Sequence, residues 1–168
     1  MKYERYKRGQ IIMVNFSPSI GSETKNNHLA IVLNKNDSPN NGVLTVIPLS
    51  SKEKPYYLDL GNILEAQITL KLGTLGNLLQ TETIRVLNGD MNQNEVDEME
   101  SNLDEYNKLV KVYTSMNKRS YAMVQNITTI SKLRVLKPLN KYDPIKTFNV
   151  GNEVLTQIDN KIKQLFTK

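Results

Sequence analysis

The stretch "GQIIMVNFSPSIGSETKNNHLAIVLN", residues 9–34, decides the fold. Its opening, "IIMVNF", has the β-branched and aromatic character of a strand, and "SPSIGS" after it is a turn signal. "HLAIVLN" (28–34) is a near-continuous apolar run, the pattern of a strand buried on both faces. His28, the only histidine of the chain, stands at the mouth of that strand. Downstream, "KNDSPNNG" (35–42) is dense in Asn, Pro, Asp and Gly and reads as a loop. "VLTVIPLSS" (43–51) is a third strand, with Pro48 confined to an edge or a bulge. "YYLDL" (56–60) alternates as a fourth strand does. Four short strands so close together predict a small, strongly curved antiparallel sheet or barrel.

The pattern then changes period. Val96, Met99, Leu103, Tyr106, Val110 and Tyr113 are spaced 3, 4, 3, 4, 3, which predicts a helix with a narrow apolar seam. Asn94 is its expected N-cap, and the acids of its first half suit the helix dipole. Upstream, Leu64, Ile68, Leu72, Leu75 and Leu79 fit a partner helix, although Gly73 and Gly76 each cost about 1 kcal/mol relative to Ala. Residues 81–91 either end that helix or form a short strand. The simplest arrangement is an antiparallel helical hairpin. Strand signals return at 121–130 and 132–139, and 151–166 closes the chain as an amphipathic helix. The expected class is therefore α+β.

Composition narrows the function classes. The 168 residues are 39% hydrophobic and 23% charged, with no cysteine. Disulfides, thiolate metal sites and cysteine nucleophiles are excluded, and a reducing cytosol is the expected compartment. No window approaches the roughly 18 apolar residues of a membrane span. Net charge is uneven. Residues 1–60 carry eight Lys/Arg against five Asp/Glu, residues 61–118 five against nine, and residues 119–168 nine against three. Basic outer segments around an acidic middle mark 61–118 as an addition, and a basic surface favours nucleic acid, an acidic membrane or an acidic protein.

One histidine cannot build a multi-histidine metal centre, and no HExxH, P-loop or GxGxxG pattern is present. What remains is the loop 21–28 beside a strand ending in "PLSSKEK". Glu23, Lys25, His28, Ser50, Ser51, Lys52 and Lys54 offer a hydroxyl, an imidazole and several cations. These suffice for metal-free RNA cleavage, in which the substrate supplies its own 2′-OH and the protein moves protons and stabilises the phosphorane. Taken alone, a histidine at a strand start is more often a hydrogen-bonding structural residue. Serines at a strand end are more often turn formers, and exposed lysines are more often merely solvated.

With these residues in view, the sequence resembles the MazF/PemK family of toxin endoribonucleases. The family pattern runs R-G-[DE], a D/N-[LF]-x-P turn, a G-S-E loop, and R-P-[AV] opening the second strand. The corresponding residues are Arg8 and Gly9 (followed by Gln10 in place of the acid), Asn15 to Pro18, Gly21-Ser22-Glu23, and His28-Leu29-Ala30. "VLTVIPLSS" is similar to the third strand, "MVQNITTISKLRV" (123–135) to a later family segment, and the closing helix fits as well. The two blocks flank 61–118.

The resemblance implies one domain over 1–168. It would be a small SH3-like antiparallel β-barrel with a helical-hairpin insertion at 61–118 and a C-terminal helix. It also implies a cytoplasmic toxin of a type II toxin–antitoxin system, with no metal or cofactor and no membrane. Its activity would be cleavage of single-stranded RNA to 2′,3′-cyclic phosphate and 5′-OH ends. Its partners would be a cognate antitoxin and a second copy in a homodimer. By position, the family's key arginine falls on His28, its strand-end Thr/Ser on Ser50 and its loop acid on Glu23, the implied catalytic set. Lys25, Ser51, Lys52, Lys54 and Gln125 are the implied RNA-binding set. Imidazole cannot hold two phosphate oxygens as a guanidinium does. The alternative is therefore a catalytically impaired member that binds nucleic acid or protein.

Overall fold

The computed structural model describes residues 2–21 and 23–167, so Ser22 of the G-S-E loop lies outside the described residues. The strands are β1 (Ile11–Asn15), β2 (Asn27–Val32), β3 (Val43–Ser50), β4 (Leu58–Gly61), β5 (Ser120–Ala122) and β6 (Thr128–Ser131). The helices are α1 (Glu65–Leu87), α2 (Gln93–Met116) and α3 (Gly151–Phe166), with 3-10 turns at Val124–Asn126, Lys132–Arg134 and Pro144–Thr147. The chain divides into two compact units. One holds the chain up to Ile63, Arg119–Lys137 and the chain from Ile145; the other is Leu64–Lys118 with Pro138–Pro144.

The first unit is the sheet, six antiparallel strands in the order β1-β2-β3-β5-β4 with β6 also paired to β3. Ile12, Val14, Phe16, Ala30, Val32, Leu44, Val46 and Ile130 form one buried core. These are alternate residues on each strand, as a single sheet face requires. Ile11, Ile31 and Ile47 on the opposite face are fully buried too. That is why 28–34 lacks a polar alternation.

The expected barrel is not closed. The segment 132–139 does not form the strand its sequence predicts. Its first residues coil into a 3-10 turn, and only Val135 bridges back to Val14. Leu136 N–H to Met13 O (2.8 Å) and Ile11 N–H to Phe148 O (2.9 Å) occupy further groups on the outer edge of β1. The edge is thus partly covered by irregular chain. Likewise 121–130 is two short strands separated by the turn Val124–Asn126, which moves the chain from one partner zone of β3 to the next.

This break explains Pro48, which lies inside β3 at neither an edge nor a bulge. Residues 43–46 pair with β6 and residues 49–50 with β5. Pro48 sits at the handover, where its carbonyl accepts Met123 N–H at 3.0 Å. A missing N–H costs nothing where no strand acceptor faces it.

A buried ion pair ties the N-terminal segment to this unit. Lys132 Nζ donates to Asp37 Oδ2 at 2.8 Å and to the carbonyls of Glu4 and Ser38, each at 3.0 Å.

The second unit pairs α1 with α2. α1 runs unbroken through residues 81–87. Thr81 and Thr83 turn their hydroxyls back onto the carbonyls of Asn77 and Leu79, and Gly89 supplies a left-handed residue (φ +75°) just past the end. At Gly76 a Cβ would lie 2.7 Å from the Tyr106 hydroxyl, so the glycine makes room for that ring. In α2 the buried residues are Met99, Asn102, Leu109 and Tyr113, while Leu103 of the expected seam is 38% exposed. The expected cap is also displaced. Asn92, not Asn94, accepts Glu95 N–H, and Glu95 accepts Asn92 N–H in return. Asn92→Ala is expected to cost about 1 kcal/mol, read as a lower midpoint in thermal unfolding followed by helical circular dichroism. None of the helices is long and apolar enough to cross a membrane, among the described residues.

Candidate active site

His28 stands on β2 opposite Val14 of β1. The β2–β3 register aligns Ala30 with Pro48; carried two residues further, it sets His28 opposite Ser50. Both lie on the core-facing side, in the rows Val32-Ala30-His28 and Val46-Pro48-Ser50. The two polar residues therefore end rows that are otherwise apolar, at one rim of the core. His28 Nδ1 lies 3.0 Å from Leu49 O, and its half-buried ring meets Phe16 edge-on at 6.4 Å between centroids. A carbonyl only accepts, so Nδ1 carries a proton. In the neutral imidazole Nε2 is then the lone-pair nitrogen.

Ser50 closes a small turn. Its Oγ accepts Lys52 N–H at 3.0 Å and donates to Lys52 O at 3.2 Å. Ser51, Lys52 and Lys54 follow on an exposed loop. The Lys54 ammonium lies 5.7 Å and 5.5 Å from the ring centres of Tyr56 and Tyr57. Hydrogen bonding to Tyr56 raises its pKa above the ordinary lysine value.

Phe16 also lines an open cleft of about 770 Å³, whose walls include Glu23, Thr24, Gln125, Asn126 and Arg134. Glu23 Oε2 accepts Ile20 N–H at 3.0 Å, which closes the turn 20–23. Asn126 Nδ2 reaches Thr24 Oγ1 at 3.5 Å. Glu23 and Gln125, named from the sequence, thus share this cleft. His28, packed against Phe16, and Ser50 belong to the neighbouring rim, and Lys25 is simply exposed on its loop.

Arg134 escaped the sequence reading. It is the only cation among the described residues lining the cleft. One of its nitrogens donates to Ser17 O at 3.2 Å and sits 3.5 Å from Asn15 O. "KLRVLKPL" reads as a strand in which an arginine would be ordinary, and only the 3-10 turn Lys132–Arg134 aims it here. A guanidinium has five donors, so this contact leaves several for an anion. Among the described residues no cluster of three or more His, Cys, Asp or Glu could hold a metal ion.

Comparison with known proteins gives the same fold. The crystal structure of MazF (Form-I) from Deinococcus radiodurans superposes with a TM-score of 0.51 at 12% identity, covering 97% of each chain. At that identity the likeness concerns the fold alone. No curated protein matches the chain. The family model for the PemK-like, MazF-like toxin of type II toxin–antitoxin systems matches residues 7–101, from the segment before β1 into α2. The chain therefore belongs to the PemK-like, MazF-like toxins of type II toxin–antitoxin systems.

Proposed function

We propose that the protein is a metal-independent endoribonuclease toxin acting on single-stranded RNA. The observation that carries this reading is that the β2–β3 register, extended two residues past Ala30–Pro48, sets His28 opposite Ser50, next to a cleft whose only described cation is Arg134. In the proposed reaction His28 Nε2 takes the proton of a ribose 2′-OH. The 2′-oxygen bonds to the adjacent phosphorus, the bond from phosphorus to the 5′-oxygen breaks, and that oxygen leaves with a proton from water. The products are a 2′,3′-cyclic phosphate and a 5′-OH.

Arg134 would donate to the non-bridging oxygens as charge builds on them, joined by Ser50 once its O–H turns away from Lys52 O. In this way Arg134 supplies the fixed charge that the family's arginine would bring at position 28. Glu23 acts here by holding the turn 20–23. Lys25, Ser51, Lys52, Lys54 and Gln125 bind the strand on either side of the scissile phosphate. We further read the helical unit as an insertion into one PemK-like domain. The toxin would be cytoplasmic and homodimeric, and an acidic antitoxin segment would compete with RNA for the same basic surface.

The test is incubation with a long unstructured RNA in EDTA, followed by mapping of the product ends. Cyclic phosphate ends are expected. Arg134→Gln should lower the rate about 100-fold without shifting the melting temperature. RNA bound with a steep salt dependence but never cut would instead identify an impaired family member that serves as a binding module.

A further inference from the structure

We propose that Tyr56 and Tyr57 form a stacking platform for an unpaired RNA base outside the cleavage site. The inference rests on the ribonuclease reading and extends it to a second subsite. Leu49 of β3, Ala122 of β5 and Leu58 of β4 are successive partners across the sheet. Strands lie roughly 4.8 Å apart, so Leu58 is about 10 Å from Leu49. Leu49 is the residue whose carbonyl holds His28. Tyr56 and Tyr57 immediately precede Leu58, at the β4 edge of this row.

Their exposure, not their mutual geometry, sets them apart from core packing. The rings meet edge to face, with centroids 5.0 Å apart and planes at 85°. Tyr56 is 44% exposed on a loop whose residues 51–55 are all exposed. The turn is fixed by Tyr57 N–H donating to Lys54 O at 3.0 Å, which keeps Lys54 beside both rings. Two aromatic faces beside cations are what sequence-tolerant binding of single-stranded nucleic acid uses: bases stack on the rings and phosphates meet the ammonium groups. Lys52, whose N–H is bound by Ser50 Oγ, carries the chain of cations back toward the rim. RNA crossing this row would place its scissile ribose at His28 and a neighbouring base on the tyrosines.

The test uses the full-length protein and a labelled, unstructured 2′-O-methyl oligoribonucleotide, which has no free 2′-OH and so cannot be cut. Tyr56→Ala is expected to weaken binding roughly five- to a hundredfold, the range for loss of one base–aromatic stack. Tyr56→Phe should bind as wild type, and Tyr56→Leu should not be rescued. The slope of affinity against salt should stay unchanged in all three, because no phosphate contact is lost. In Lys52→Ala the slope should fall. Equal binding by wild type and Tyr56→Ala overturns the platform and leaves the ribonuclease reading intact. Equal rescue by Phe and Leu overturns stacking in favour of mere apolar contact. Wild type that binds no RNA at all overturns both.

Discussion

Replacing His28 by alanine is expected to lower the rate of RNA cleavage by about 10²–10⁴-fold, the range for loss of a positioned general base. Nδ1 donates to Leu49 O, which leaves Nε2 as the nitrogen able to take the 2′-OH proton. The same contact is a structural bond worth about 1 kcal/mol, so a fall in activity alone would not separate the two roles. His28→Gln separates them. Glutamine carries a side-chain amide donor suited to the Leu49 carbonyl but has no titratable nitrogen. It should restore the melting temperature and leave cleavage as poor as in the alanine variant. Recovery of cleavage in His28→Gln would make the histidine structural and move the base elsewhere. Ser50→Ala, which removes one hydrogen-bond donor and no base, should cost less than His28→Ala.

Lys132→Met is expected to destabilise the sheet unit by about 3–5 kcal/mol, the cost of stranding a buried charge. The side chains of Lys132 and Asp37 are 2% and 1% exposed. Asp37 Oδ2 also accepts Tyr6 N–H at 2.9 Å. The ammonium lies 5.8 Å from the Tyr6 ring centre. One lysine thus binds three separated parts of the chain: residues 4–6, the loop at 37–38 and its own 3-10 turn. Against a typical total stability of about 5–15 kcal/mol, its loss would be severe. Lys132→Met combined with Asp37→Leu should recover much of it, because a paired removal leaves no orphan.

The pH dependence follows from Asp37. Burial pushes its carboxyl up, but the bond to Lys132 and the backbone N–H groups of Tyr6 and Ser38 outweigh burial and hold it below the ordinary 3.8. A carboxyl depressed in the folded state stabilises the fold above its unfolded value. That contribution is lost as pH falls through the folded one. In Lys132→Met the lone carboxyl is instead raised, and protonation relieves it. The stability gap between the two proteins, measured by urea unfolding, should therefore narrow as pH falls. The narrowing begins above the ordinary carboxylate range, where the variant's raised carboxyl takes up its proton, and ends below it, where the wild-type carboxyl does. A gap that widens on acidification would contradict this account.

Local pattern carried a large share of the architecture. The apolar run 28–34, the seams of α1 and α2 and the amphipathic stretch 151–166 gave strands and helices in the right order. Alternation and the 3.6-residue period are properties of neighbouring residues, and burial acts on them directly. The rim residues were legible in the same way: His28 and Ser50 each end an apolar run, and a pairing of β2 with β3 brings such ends together.

What failed depended on partners far away in the chain. Asn94 and Asn92 are equally good caps on paper, and the reciprocal bond with Glu95 chose between them. Pro48 looked like an edge residue because a sequence does not show that β3 changes partner beside it. The run 132–139 has strand propensity. Yet Lys132 is drawn inward to Asp37, 95 residues earlier in the chain, and the backbone coils there instead of extending. That single long-range ion pair anchors the 3-10 turn that ends at Arg134. Local periodicity sufficed for β1 to β4, the three helices and the polar rim, because burial acts directly on neighbouring residues. Long-range contact was needed to place Arg134 in the cleft, because its aim depends on where a buried lysine finds its carboxylate.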